Sequence, residues 1–160
     1  HAIVADNLQM RAKDQTRQKL SNDIIALSLS EVMLCRIAGR LDDARKKLDA
    51  ISEHEFMRSG ECPYAVVQEF RLEQFRLRAL LEEGDSLTRD VREFTQQMLD
   101  THHNQLMREA QLLLAEIQPQ DNKKLLDEIG SHALFCGWRR WLTSVELLRS
   151  GRSPLREIGI

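Results

Sequence analysis

The opening stretch of this chain, residues 2–38, constrains the fold more than any other part of the sequence. It contains neither proline nor glycine, so nothing in it interrupts a helix. Its apolar residues recur at helical spacing in two series, which are Leu20, Ile24, Leu27 and Leu34, and then Ile25, Leu29 and Val32. Because the two series lie on different faces, the pattern predicts one long helix that is apolar around most of its circumference from residue 24 onward. Such a helix is either a central element of the fold or an element that a partner covers.

Further interruptions divide the chain into about six helices. They are residues that end a helix or cannot continue one, namely Gly39, Gly60, Gly84, Pro119 and Gly137. Aromatic residues make up only 5% of the chain and charged residues 30%, which is typical of helix surfaces and not of strands. The length of 160 residues and the apolar content of 42% fit one domain with a proper core. We therefore predict a single all-α domain, residues 1–160, folded as an antiparallel bundle of about six helices.

Short strings with a glycine between two helical patterns recur along the chain. They are RIAGRLDDA, LEEGDSLT and LRSGRSPL. Their uneven spacing disfavours a regular tetratricopeptide array. Each string is interpreted as a glycine that ends one helix before the next begins.

Charge and cysteine content limit the partners and the compartment. The net charge is −2, from 23 basic and 25 acidic residues, so any binding of nucleic acid or of an anionic membrane must be local. The cysteines Cys35, Cys62 and Cys136 are odd in number and lack metal-type spacing, which favours a reducing compartment over a disulfide framework. The longest apolar stretch is interrupted by charges, and no signal-peptide pattern opens the chain. These features predict a cytoplasmic protein with no membrane partner.

Two glutamates of the third predicted helix are candidates for catalysis. Glu69 and Glu73 lie four residues apart and so share one helix face. Paired carboxylates can hold Mg²⁺, and Asp100 could face them from the next helix. The candidate catalytic residues are therefore Glu69, Glu73 and Asp100, and the first two are the candidate Mg²⁺ ligands. The alternative is a solvated helix face with an ion pair between Glu73 and Arg76.

Arginine and tryptophan are concentrated near the C-terminal part of the chain. Guanidinium groups bind phosphates and aromatic faces stack on unpaired bases, which predicts a local site for single-stranded RNA or DNA. The predicted nucleic-acid-binding residues are Arg17, Arg36, Arg40, Arg139, Arg140, Arg149 and Arg152. The alternative is that Trp138 and Trp141 anchor the last long helix in the core and that the arginines form its solvated face.

Four segments of the chain resemble the translin and translin-associated factor X family. RAKDQTRQKLSNDIIALSLSEVMLCRIAGRLDDARKKL and PYAVVQEFRLEQFRLRALLEEGDSL resemble its opening helices, and DTHHNQLMREAQLLL and GWRRWLTSVELLRSGRSPL resemble its later ones. The resemblance implies a translin-like all-α protomer that assembles into a hollow oligomer with single-stranded RNA or DNA inside. In catalytic members, clustered acids bind Mg²⁺ and cleave RNA. Glu69 matches the first of these acids, whereas Glu73 and Asp100 are out of register, which favours binding over cleavage.

Three functions are compatible with these features. The first is a homo-oligomeric, translin-like protein that binds single-stranded nucleic acid. Its subunit contacts are predicted at Ile25, Leu29, Val32 and Met33 on the apolar first helix. The second is a helical adaptor or regulatory domain that binds a protein partner through the same surface. The third is a Mg²⁺-dependent ribonuclease, and only the family resemblance ranks the first function ahead of the other two.

Overall fold

The computed structural model describes residues 2–82 and 86–156, with side chains from residue 11 onward apart from those of residues 12 and 121. These residues form eight α-helices and no strand, which confirms the all-α class. The helices are α1 (Ala2–Ile37), α2 (Leu41–Glu53), α3 (Glu55–Arg58), α4 (Tyr64–Leu80), α5 (Leu87–Asp100), α6 (Asn104–Ile117), α7 (Lys123–Cys136) and α8 (Arg139–Arg149). Short 3₁₀ turns lie at Pro119–Asp121 and Pro154–Arg156. No helix in these two ranges has both the length and the hydrophobicity that crossing a bilayer requires.

The long first helix is confirmed, and so is the glycine that ends it. α1 runs for 36 residues, from Ala2 to Ile37. Gly39 then takes a left-handed conformation with φ of 73°, which glycine adopts without steric cost. Its N–H donates to the carbonyl of Arg36 at 3.0 Å, and the N–H of Arg40 donates to the carbonyl of Cys35 at 2.9 Å. This pair of hydrogen bonds is a Schellman motif, and it turns the chain sharply into α2.

The prediction of one helix from about residue 86 to Pro119 is wrong, because the chain reverses at residues 101–103. His102 has a φ of 59°, and the N–H of His103 donates to the carbonyl of Met98 at 2.8 Å, so the turn resembles a glycine cap without glycine. The reversal packs apolar residues of α5 against those of α6. Burial of these two faces against each other outweighs the cost of a non-glycine residue at positive φ, which is about 1–2 kcal/mol.

The second predicted helix is also divided, at His54. The backbone of this residue is extended, and its Nδ1 accepts a hydrogen bond from the N–H of Phe56 at 3.2 Å, which begins α3. Phe56 is buried in the first core cluster. These two divisions raise the number of described helices from the predicted six to eight, and the translin-like six-helix bundle is not confirmed.

The helices form two layers. In the first layer α1, α4, α6 and α8 lie side by side, each in contact with the next. In the second layer α2, α5 and α7 each pack across two successive helices of the first layer. Most helices therefore contact their neighbours along the chain, and the C-terminal turn Pro154–Arg156 returns to pack against α1.

Apolar side chains between the layers form three clusters, one beneath each second-layer helix. Ile25 and Val32 of α1 are central to the first cluster, with α2 and α4. Phe94 lies in the second cluster and meets Phe75 edge-on with ring centroids 5.5 Å apart. Ile129 lies in the third, between α6, α7 and α8. Helices of the first layer contribute side chains to all three clusters, so this layer connects the three parts of the core.

Candidate functional site

A chain of buried side chains, four of them charged and one a tryptophan, joins the four helices of the first layer. Arg36 of α1 donates through Nε to Glu73 Oε2 on α4 at 3.1 Å. Arg76, one turn later on α4, donates from one terminal nitrogen to Glu73 Oε1 and from the other to Glu109 Oε2 on α6, each at 2.5 Å. The indole Nε1 of Trp141 on α8 donates to Glu109 Oε1 at 2.8 Å. We call these five side chains the buried ion network.

The charges of this network neutralise one another. Burial alone raises the pKa of the Glu73 carboxyl, but the charges of Arg76 and Arg36 and the hydrogen bonds from both outweigh burial, so the pKa lies below its ordinary value. Glu73 is therefore ionised at neutral pH, with a guanidinium on each oxygen. Paired and buried charges of this kind do not leave a carboxylate free to exchange protons with a substrate.

A small cavity of about 70 Å³ lies at one edge of the network, between α1, α6, α8 and the turn Pro154–Arg156. Arg36 Nη1 donates to the carbonyl of Leu155 at 2.6 Å, and the hydroxyl of Ser153 donates to Glu116. Burial raises the pKa of Glu116, although the hydrogen bond from Ser153 and the charge of Arg36 act in the opposite direction. Leu155 is buried, so this turn covers the edge of the first layer.

The predicted acids do not come together as a metal site. Both carboxylate oxygens of Glu73 accept from arginines, whose positive charges oppose a cation at this position. Glu69 is exposed overall, although burial of its carboxyl, with the charge of Glu73, raises its pKa against the lowering effect of Arg76. Asp100, at the end of α5, accepts from Gln96 at 2.8 Å. No cluster of three or more His, Cys, Asp or Glu among the described residues could hold a metal ion. These residues therefore do not fit the predicted Mg²⁺ site, and the ion pair between Glu73 and Arg76 is present but buried.

Most of the arginines predicted to bind nucleic acid are buried or paired with acids of the same chain. Arg36 is buried in the ion network and cannot reach a phosphate, so this part of the prediction is wrong. Others pair with acids of the same chain, as Arg17 with Glu55 at 3.6 Å, Arg40 with Asp43 at 3.5 Å, Arg140 with Glu109 at 3.6 Å and Arg149 with Asp127 at 2.6 Å. Arg152 also has an interaction partner. Arg139 is exposed and lacks an acidic partner within the part of the chain that the structure describes.

The predicted subunit contacts on α1 lie in the core of the protomer. Ile25, Leu29 and Val32 are 1%, 7% and 0% exposed and pack with residues of the same chain, so their assignment to a subunit interface is wrong. Met33 is half-buried beside the cavity. The other apolar series is the exposed one, with Leu20 at 60%, Ile24 at 45%, Leu27 at 65% and Leu34 at 57%. We call these four residues the α1 stripe.

A second exposed apolar group lies where α7 meets α8. Phe135 is 92% exposed, and Leu134 and Trp138 are exposed beside it. Trp138 packs edge-on against the buried Trp141 with ring centroids 4.2 Å apart. The interpretation of Trp141 as a core anchor is confirmed. Phe135 was not predicted from the sequence as a surface residue; its position two residues after the buried Ala133 places it off the inner face of α7.

Comparison of the chain with known protein families, characterised proteins and solved structures finds no significant match. The resemblance to the translin family therefore stays a prediction.

Proposed function

We propose that this chain is a protein-interaction module that binds an amphipathic helix through the α1 stripe. The observation that carries the proposal is the exposure of four large apolar side chains on one face of α1. Single exposed leucines are common on protein surfaces, whereas these four lie along one face of α1 over about 20 Å. An amphipathic helix covers such a strip with apolar residues at the same helical spacing.

The surroundings of the stripe support an interface. Asp23 and Ser30 are exposed on α1 beside it, so the apolar strip has a polar rim. The acids that could have favoured a catalytic function do not converge on an open site, since Glu73 and Glu109 are paired within the buried ion network. Binding is therefore better supported than catalysis.

Affinity capture with three immobilised forms of the chain tests the proposal. We expect a double variant, Leu20→Ser with Leu27→Ser, to lose about 90% of the proteins that the wild type retains, because each serine removes apolar area from the interface. Leu99→Ser is the matched control, because Leu99 has comparable exposure on α5 and lies outside the stripe. Quantitative mass spectrometry measures retention, and cross-linking from Lys19 identifies the bound segment. Equal retention by all three forms, or cross-links to a non-helical segment, contradicts the proposal.

Binding of single-stranded nucleic acid is a second candidate function, and one observation favours it. Phe135 and Trp138 are exposed at the turn before Arg139, and an exposed ring beside an unpaired guanidinium can stack on a base and bind a phosphate. This group is small, because the other predicted arginines are paired or lie on other elements. Any such binding is therefore weak and centred on α7 and α8.

Fluorescence anisotropy with an unstructured oligonucleotide tests this second candidate. We expect Phe135→Ala to weaken binding at low salt by about 5-fold to 100-fold, the range for loss of one stacked base. Leu134→Ala, at the adjacent exposed position, serves as the control. Absence of binding by the wild type at low salt, or equal losses in the two variants, contradicts nucleic-acid binding at this site.

A further inference from the structure

We infer that the helix bound by the α1 stripe is the α1 of a second copy of this chain, in antiparallel orientation, an inference that rests on the proposed function. The stripe repeats with steps of four, three and seven residues from Leu20 to Leu34. Glu31 fills the gap in the last step, and Arg17 lies three residues before Leu20. The whole line from residue 17 to residue 34 therefore follows the alternating spacing of three and four residues by which two helices pack along a seam.

The positions of the two charges in this seam select the orientation. Arg17 and Glu31 each lie seven residues from Ile24, on opposite sides of it. If two α1 helices cross antiparallel at Ile24, Arg17 of each copy lies opposite Glu31 of the other, and Leu20 lies beside Leu27, one residue from the directly opposite position. A parallel pair instead places Arg17 opposite Arg17 and Glu31 opposite Glu31. Like charges in register are destabilising, so only the antiparallel pair is self-complementary.

The charges that this pairing uses are accessible. Arg17 pairs within the protomer with Glu55 at 3.6 Å, and Glu31 with Lys47 at 2.5 Å. The side chains of all four residues are at least 40% exposed, so these ion pairs are weak and solvated. A second copy would add an opposite charge beside each pair without burying an isolated one. Arg17 would then lie near two acids, and Glu31 near two bases.

The N-terminal half of α1 provides an independent reason for a partner. Every described side chain from residue 11 to residue 20 is exposed, whereas the body of the protomer packs on residues 25–36. A helical arm whose contacts with the rest of the protomer are as solvated as the ion pair of Arg17 with Glu55 gains little stability from tertiary packing. Antiparallel pairing lays the arm of each copy along the apolar, body-supported half of the other. Parallel pairing would place the two arms against each other, and Leu20 is the one residue of the α1 stripe that each arm would contribute to that contact.

Charge reversal with the full chain tests this seam. By sedimentation velocity at low salt, we expect a concentration-dependent dimer, with Arg17→Glu and Glu31→Arg each weakening it about 10-fold or more, because each creates two like-charge pairs per dimer. The double variant R17E/E31R restores both attractions and is expected to return to within about 3-fold of the wild type. Glu55→Gln removes the partner of Arg17 within the protomer and should leave dimerisation unchanged. Circular dichroism confirms that every variant is folded.

Engineered cysteines report the orientation directly, in a background with Cys136→Ser that removes the exposed native thiol. Ile24→Cys is expected to form a disulfide between copies on mild oxidation and serves as the reference, because residue 24 lies opposite its own copy in either orientation of the pair. Leu20→Cys is expected to cross-link poorly alone and well when mixed with Leu27→Cys. Self-cross-linking of Leu20→Cys as efficient as that of Ile24→Cys indicates a parallel pair and overturns the inference.

The outcomes separate this inference from the function on which it rests. If the wild type stays monomeric at high concentration but its retention of another protein still depends on the α1 stripe, self-association is contradicted and the proposed interaction module is still supported. A monomer whose retention of proteins is indifferent to stripe substitutions overturns both. If the double variant R17E/E31R restores dimerisation, both the interaction module and the antiparallel second copy are supported.

Discussion

Arg76→Ala is expected to lower the free energy of unfolding by about 3–5 kcal/mol, the range for removal of one partner from a buried ion pair. The Arg76 side chain is 12% exposed and holds Glu73 and Glu109 together. Without it, Glu73 keeps only Arg36, and Glu109 keeps Trp141 and a distant Arg140 at 3.6 Å. Two buried carboxylates would lose their nearest compensating charge, and the space of the arginine stem would be left empty. Urea denaturation followed by circular dichroism measures the change.

Arg89→Ala is the matched control, because Arg89 is 72% exposed and reaches its acids only at 3.6 and 4.0 Å. It should change the free energy of unfolding by less than about 0.5 kcal/mol.

The pH dependence of stability provides a second test of the same network. Since the pKa of Glu73 is lowered in the folded protein, its contribution to stability is present above the unfolded pKa and is lost as the pH falls through the folded one. The difference in the free energy of unfolding between wild type and Arg76→Ala should therefore become smaller as the pH falls. A loss below about 1 kcal/mol at neutral pH, or a difference that widens in acid, contradicts this account of the network.

The sequence predicted the features of this fold that depend on local chemistry. A stretch without glycine or proline forms α1, and Gly39 ends it because the left-handed turn there suits glycine. The break at His102 was missed because no glycine or proline marks it. A run of short polar residues, Asp-Thr-His-His-Asn, was the only signal, and residues of this kind form turns as well as polar helix surfaces. The helix pair α5 and α6 exists because two apolar faces bury each other, which is a tertiary effect.

The sites could be predicted less well than the helices, because a site depends on which faces meet. The spacing of Glu69 and Glu73 shows that they share one side of α4, but it cannot show that Arg36 approaches from α1, far away in the sequence. Because Arg36 pairs with Glu73, this carboxylate is neutralised within the fold and is not available as a metal ligand. The apolar first helix poses the same difficulty. Its two series are equally hydrophobic in the sequence, and only the packing of α2 and α4 decides that the one containing Ile25 is buried.

Substitution of both α1 series with the same charged residue separates the core from the proposed seam. Val32→Asp is expected to lower the free energy of unfolding by about 4 kcal/mol or more, because it places a carboxylate at a position with 0% exposure, out of contact with water. Leu27→Asp, on the same helix and 65% exposed, should change the stability of the dilute protomer by less than about 0.5 kcal/mol. At high concentration, the same variant should abolish self-association, since it sets a carboxylate beside Leu20 of the second copy.

The concentration dependence of these two effects distinguishes them. A core substitution lowers the midpoint temperature of unfolding equally at every protein concentration. A seam substitution instead abolishes the increase of this temperature with protein concentration that dimerisation causes. Calorimetry of wild type, Val32→Asp and Leu27→Asp over a 100-fold range of concentration therefore assigns each face of α1. If Val32→Asp retained native stability and lost association instead, the face that contains Ile25, Leu29 and Val32 would be the interface after all. The layered packing would then have to open to expose it. The burial of these side chains against α2 and α4 makes the reverse assignment the expected one.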